Sequence, residues 1–175
     1  RVFRKLSEAE ERIIAVHEMG HYISGKYSDS GATATKITID PGMPEMFGYV
    51  QNQVNSEPSL FSKEQLFGQL VSCMGGRAAE VLFNEGKITP GASQDFYVAE
   101  RIARDMIYSL GMGSRHRFYD PEFLTPTLRS ELESEISDLL HKAFEKAKEI
   151  IKDHQEEYNQ ILQELLIKKT IYFND

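Results

Sequence analysis

Two periods of polar and apolar residues run along this chain and divide it into elements. Ser7-Glu8-Ala9-Glu10 is a capping box, with Ser7 placed to cap a helix and Glu10 to reach back. Helical spacing through Glu11, Ile13, Ile14, His17 and His21 predicts a first helix that frays near Gly25. The pattern then changes to strict alternation. Thr35-Lys36-Ile37-Thr38-Ile39-Asp40 reads as a strand stopped by Pro41-Gly42, and a second short strand is expected around Gly48-Tyr49-Val50-Gln51. Ser62-Lys63-Glu64-Gln65 is a second capping box. It opens a helix through Leu66, Leu70, Val71, Met74, Ala78 and Leu82, with Gly86 as a natural stop. Gly75-Gly76 inside that helix costs helical stability, so close helix packing is expected there.

Thr89-Pro90-Gly91 reads as a turn, followed by a third helix from Gln94 to Leu110 that ends at Gly111. Residues 114–125 look like a loop. Thr125-Pro126 then starts a long amphipathic stretch in which Leu128, Leu132, Ile136, Leu139, Ala143, Ala147 and Ile150 recur at helical spacing. Tyr158, Ile161, Leu162 and Leu165 continue it after an expected break at Asp153-His154-Gln155. The predicted fold is mainly α with a small β-sheet (α+β). It forms one domain over 1–175, with a core at 1–112 and a helical C-terminal part at 113–175.

The chain has 175 residues, 41% of them hydrophobic and 27% charged, which suits a globular domain with a real core. Its 27 acidic against 20 basic residues give a formal charge of −7, which argues against nucleic acid as a partner. Cys73 is the sole cysteine, so neither an internal disulfide nor an all-cysteine zinc site can form. No apolar run is long enough to span a bilayer, and there is no signal-peptide pattern. The chain begins at Arg1 and reads as a piece from which an anchor or partner domain has been separated.

Chemistry concentrates in His17-Glu18-Met19-Gly20-His21, which fits H-E-x-x-H. Positions i and i+4 of a helix share a face, so both imidazoles can grip one metal ion. Zinc lowers the pKa of a bound water to roughly 7. Glu18, beside the first histidine, is placed to take the proton as that water attacks a peptide carbonyl, and to pass it to the leaving amine. The bland alternative is two stray histidines and a solvated glutamate. It fits poorly with a well-capped helix carrying the pentapeptide.

A catalytic zinc needs a third protein ligand. The extended H-E-x-x-H-x-x-G-x-x-H pattern fails, because Ser24 and Tyr27 stand where its Gly and third His belong. Asp95 lies four residues before Ala99, on the apolar stripe of Ala99, Ile102, Ala103, Met106, Ile107 and Leu110. An inward acid is costly unless paired or metal-bound, yet Asp95 also suits the helix dipole. Spacing alone leaves these readings level. Glu80 and Glu100 compete as ligands, and Glu80 alternatively pairs with Arg77 or hydrogen-bonds a ligand histidine. Cys73 is a further rival, though its apolar neighbours suggest a buried hydrophobe. His116, His141 and His154 read as surface residues.

These residues, taken in order, resemble the peptidase domain of FtsH-type AAA proteases, which are ATP-dependent zinc metalloproteases. Residues Ile14 to His21 look like the family's H-E-x-G-H helix, and Lys36 to Ile39 like the strand that follows. Gly75-Gly76-Arg77-Ala78-Ala79-Glu80 and Thr89-Pro90-Gly91-Ala92-Ser93-Gln94-Asp95 are similar to two further family blocks, and Ala143 to Ile150 to its tail helices. The resemblance covers nearly the whole chain. It implies a zincin-like H-E-x-x-H helix, with His17, His21 and Asp95 as zinc ligands and Glu18 as catalytic base. Pro90 and Gln94 depart from the family's usual Thr and Asn, and 41–60, the expected substrate groove, is less family-like.

The resemblance further implies an ATPase module, a homo- or hetero-hexameric ring and a membrane anchor in the full-length protein. The anchor places it at a bacterial, mitochondrial or plastid membrane with this domain in the soluble compartment. No G-x-x-x-x-G-K-[ST] loop occurs here, so ATP hydrolysis is not expected of this chain alone. Unfolded or membrane polypeptides are the expected substrates. The main alternative is a catalytically silent module that organises the ring. A hydrolase of the peptide deformylase type, with a cysteine ligand, is a weaker one.

Overall fold

The computed structural model of the chain describes residues 4–43 and 46–173. Among these residues, five α-helices and a three-stranded sheet bear out the mainly α, small β class. Pro44 and Glu45, inside the expected groove segment, lie outside the described residues, as does the start at Arg1.

Helix α1 spans Glu8–Lys26 and begins with both hydrogen bonds of the predicted capping box. It ends at Lys26, one residue past Gly25, where its end was expected. Its middle is unusual for a surface helix, because Ala15 through Gly20 are all buried, on every face. An apolar stripe on one side would leave the other side in water. Here the helices at Lys63–Phe83, Pro126–Asp153 and Gln155–Lys168 and the sheet pack around α1, which makes it the central element.

Strand β1 (Ala32–Thr38) pairs antiparallel with β2 (Tyr49–Val54) on one side and with β3 (Thr170–Tyr172) on the other, in the order β2-β1-β3. Both sequence-predicted strands exist, with β1 displaced toward the N-terminus and β2 extended toward the C-terminus. Ile37 faces Val50 across one ladder and Ile171 across the other, and a bulge lies between Ala34 and Lys36. The pattern did not predict β3. Lys169, left-handed at φ 66°, turns the chain out of the last helix, and its carbonyl accepts from Ile39 N–H. Phe173 stacks on Tyr22 of α1 with ring centroids 4.4 Å apart.

Helix α2 (Lys63–Phe83) also starts with a complete capping box, formed by Ser62 and Gln65. It crosses α1 at two glycines. A Cβ built on Gly20 would lie 2.1 Å from the Gly75 carbonyl oxygen, and one on Gly75 would lie 2.3 Å from that of Gly20. The expected close packing at Gly75 is therefore a backbone-to-backbone crossing. Helix α3 (Ser93–Tyr108) is entered through a 3-10 turn at Pro90–Ala92. It ends before Leu110, which is 47% exposed, and Tyr108 is buried in its place. This corrects the predicted stripe at its last member, because the chain leaves the helix at Ser109. Pro121–Phe123 forms a 3-10 turn inside the predicted loop.

Helices α4 (Pro126–Asp153) and α5 (Gln155–Lys168) flank the predicted break at His154. Leu132, Ile136, Ala143, Ala147 and Ile150 of α4 are buried, as are Tyr158, Leu162 and Leu165 of α5. Each large aliphatic among them contributes on the order of 1.5–3 kcal/mol by leaving water. The buried Tyr158 hydroxyl donates to the Val16 carbonyl at 2.8 Å, which ties α5 to α1 one residue before His17. Among the described residues, no helix is long and apolar enough to cross a membrane.

Candidate metal centre

Helical spacing places His17 and His21 on one face of α1, and α2 presses that face inward. Gly76 makes this possible, because a Cβ there would sit 2.4 Å from His17 Cε1. The two rings meet edge-on, with Nε2 atoms 3.1 Å apart. Asp95, in the first turn of α3, brings Oδ2 to 3.1 Å from each Nε2. Among the described residues, this trio is the group whose donor atoms converge as a metal would require.

Partners behind the rings fix which nitrogen faces inward. His21 donates Nδ1–H to the Ser72 carbonyl at 2.7 Å, and His17 donates Nδ1–H to Glu80 Oε1 at 3.2 Å. With both Nδ1 protons so engaged, both Nε2 lone pairs and the Asp95 carboxylate point at one another. Three acceptors at this distance repel unless a cation or proton lies among them. Protonation reflects the same demand. Burial works to lower the His21 pKa, but its hydrogen bond to Asp95 and the charges of Glu18 and Asp95 push it up to about 9. Burial works to raise Asp95, and bonds from both imidazoles hold it down to about 2. On a tetrahedron with bonds of roughly 2.0–2.1 Å, donor atoms sit about 3.3 Å apart. The donor set and its spacing therefore fit zinc.

Glu18 is buried beside the trio, and burial raises its carboxyl above the usual range against the pull of both histidines. Gly48 covers it, since a Cβ at that position would come within 3.1 Å of Glu18 Cγ. The segment leading into β2 thus forms one wall of the site.

Other sequence candidates sit elsewhere. Glu80 is fully buried behind His17, on the Nδ1 side, and bonds Arg77 and Thr89. Glu100 pairs with Arg104 at 2.6 Å, which also reaches Glu133 on α4. Burial and the nearby Asp95 charge push the Cys73 thiol up to about 12, and its sulfur is not in the convergent group. His116 and His141 are exposed, as expected. His154 departs from the surface reading: it is half-buried and stacks on Tyr27, with centroids 3.5 Å apart. Pro90 fits its place without strain, since the first position of a 3-10 turn needs no N–H, and Gln94 is exposed. The Ser72 carbonyl carries no sequence signal, because every residue has one.

The family model of peptidase family M41 matches residues 4–175. Among curated relatives, "ATP-dependent zinc metalloprotease FtsH 3" of Petrotoga mobilis is 32% identical, covering 96% of this chain and 28% of the relative. "ATP-dependent zinc metalloprotease FtsH" of Mycoplasma genitalium is 33% identical, with 98% and 26% covered. "ATP-dependent zinc metalloprotease YME1L1" of Mus musculus is 33% identical, with 95% and 24% covered. The chain thus spans about a quarter of the length of these relatives. With a match across every described element, from the capped helix of His17 to the final strand, the chain belongs to peptidase family M41.

Proposed function

We propose that this chain is the zinc-dependent endopeptidase domain of an ATP-dependent protease, with His17, His21 and Asp95 as zinc ligands and Glu18 as general base. The observation that carries this reading is the mutual 3.1 Å approach of His17 Nε2, His21 Nε2 and Asp95 Oδ2, with Glu18 buried alongside. When bound, zinc supplies Lewis-acid polarisation and lowers the pKa of its water to about 7. Glu18 takes the proton of the attacking water and hands it to the departing amine. Ser72 and Glu80 hold the histidine rings in place. Among the described residues, strand β2 lies at one edge of the sheet, so an extended polypeptide can add to it there, and backbone pairing requires little sequence selectivity. Residues 1–112 carry the site, and 113–175 brace it as part of the same domain.

In the full-length protein, an ATPase module delivers unfolded or membrane polypeptides, six copies form a ring, and a segment outside this chain anchors it to a membrane. The names of the relatives support the ATP dependence. The silent assembly module loses ground because the ligand trio and Glu18 are all present together. A deformylase-like centre loses ground because Cys73 stands apart from the trio.

Metal content and peptide hydrolysis, measured together, test the reading. The unaltered chain should hold one zinc, Asp95→Ala should lose it or bind it far more weakly, and Glu18→Gln should keep the metal but lose turnover. A metal-free unaltered chain, or a fully active Glu18→Gln variant, would sink it.

A further inference from the structure

Glu80 is buried at 0% exposure, yet it takes hydrogen bonds from three separate parts of the chain. Its Oε1 accepts from His17 Nδ1 on α1 at 3.2 Å and from the Thr89 hydroxyl at 2.5 Å. Its Oε2 accepts from Arg77 Nε on α2 and from the Thr89 backbone N–H, both at 3.2 Å. Four accepted bonds fill the capacity of one carboxylate.

Thr89 is held on every polar atom. Its carbonyl accepts from Arg77 Nη2 at 2.9 Å, and its hydroxyl oxygen accepts from Gly91 N–H at 3.2 Å as the cap of the Pro90–Ala92 turn. That turn runs straight into α3, whose own N-cap residue, Ala92, makes no side-chain cap bond. Arg77 also lies over the ring of Phe96, next to Asp95, at 4.9 Å. The first turn of α3 therefore takes its position from Thr89 and Arg77, and both are bound to Glu80.

We propose that Glu80 and Thr89 are positioning residues that couple two metal ligands: one carboxylate sets the ring of His17 and, through the Thr89 hydroxyl, the place where Asp95 meets it. The proposal rests on the ligand assignment above. Each bond has a definite task. The His17 bond turns Nε2 inward, and the Thr89 bonds stop the turn before α3 from sliding along α2. Losing the hydroxyl leaves the backbone N–H and the Arg77 bond in place, so the fold persists while Asp95 loses its register.

The test is a double-mutant cycle read in zinc affinity by chelator competition, with the melting temperature of the metal-free chain followed in parallel. Thr89→Val should weaken zinc binding about tenfold, the lower end for losing such an outer partner. In an Asp95→Ala background, Thr89→Val should change affinity less than about twofold, because its effect acts through Asp95. Thr89→Ser, which keeps the hydroxyl, should bind zinc like the unaltered chain. An equal loss from Thr89→Val in both backgrounds overturns the coupling alone. So does no loss at all, and so does a loss in Thr89→Ser matching that in Thr89→Val, which assigns the effect to methyl packing. Zinc held at full strength by Asp95→Ala alone overturns the ligand assignment and the coupling with it.

Discussion

Gly76 shows how much a single missing Cβ decides. Its absence lets the His17 ring lie flat on α2, where an added methyl would meet Cε1, Nε2 and Nδ1 at 2.4, 2.5 and 2.7 Å. The ring cannot swing aside freely, because its Nδ1 is bonded to Glu80 and its Nε2 faces Asp95. Gly76→Ala should therefore push the imidazole out of place. Overpacking of this kind costs about 1–3 kcal/mol, and zinc affinity should fall by at least tenfold. Calorimetric titration of zinc into the metal-free variant checks this, and an unchanged affinity would mean that the ring has room to retreat.

At the scale of elements, the crossing of α1 and α2 carries the site. Gly20 and Gly75 bring the two backbones together, so the motif histidines reach partners on α2 that a normal helix spacing would put out of range. Interaxial distances are usually 8–10 Å, set by the side chains at the contact. Replacing Gly20 by Ala gains roughly 0.5–1 kcal/mol of helix propensity. Against this, its Cβ would press on the Gly75 carbonyl at 2.1 Å and the Ala79 Cβ at 2.7 Å. Neither neighbour is the end of a flexible chain. Overpacking should win, and Gly20→Ala should lower the melting temperature of the metal-free chain, with a net loss of about 1 kcal/mol or more. A melting temperature that rises instead would show propensity to be the stronger effect.

At the scale of the whole molecule, α5 returns across 131 residues of sequence to brace α1. Lys26 of α1 bonds Glu157 of α5 at 2.6 Å. Burial works to raise the Glu157 carboxyl, but the Lys26 hydrogen bond helps hold it below the usual range. A lowered folded pKa means that the contribution is present above the ordinary carboxylate value and disappears as pH falls through the folded one. Both side chains are partly solvated, so the pair contributes below about 1 kcal/mol. Glu157→Gln should show a small, constant stability deficit from pH 6 to 8 that closes on acidification below about pH 4. Urea unfolding of both proteins across that range checks it, and a deficit that persists at low pH would assign the effect to packing.

What the sequence determined by itself was local. Caps at Ser7 and Ser62, the helical spacing of His17 and His21, and the break at His154 all involve residues within one or two turns of each other, where backbone geometry alone dictates who meets whom. The alternation in β1 was legible for the same reason, and so was the need for something small at Gly75-Gly76. Tertiary structure decided the rest. Strand β3 is three residues long and has no pattern of its own; its partner Ile37 lies more than a hundred residues earlier. Asp95, Glu80, Glu100 and Cys73 were chemically eligible alike to approach the two histidines. The α1–α2 crossing and the anchored turn before α3 turned Asp95 toward the Nε2 atoms, put Glu80 behind His17, and left Glu100 with Arg104. Residue type says which atoms can bond a metal or a ring; only the packing of distant elements says which of them arrive.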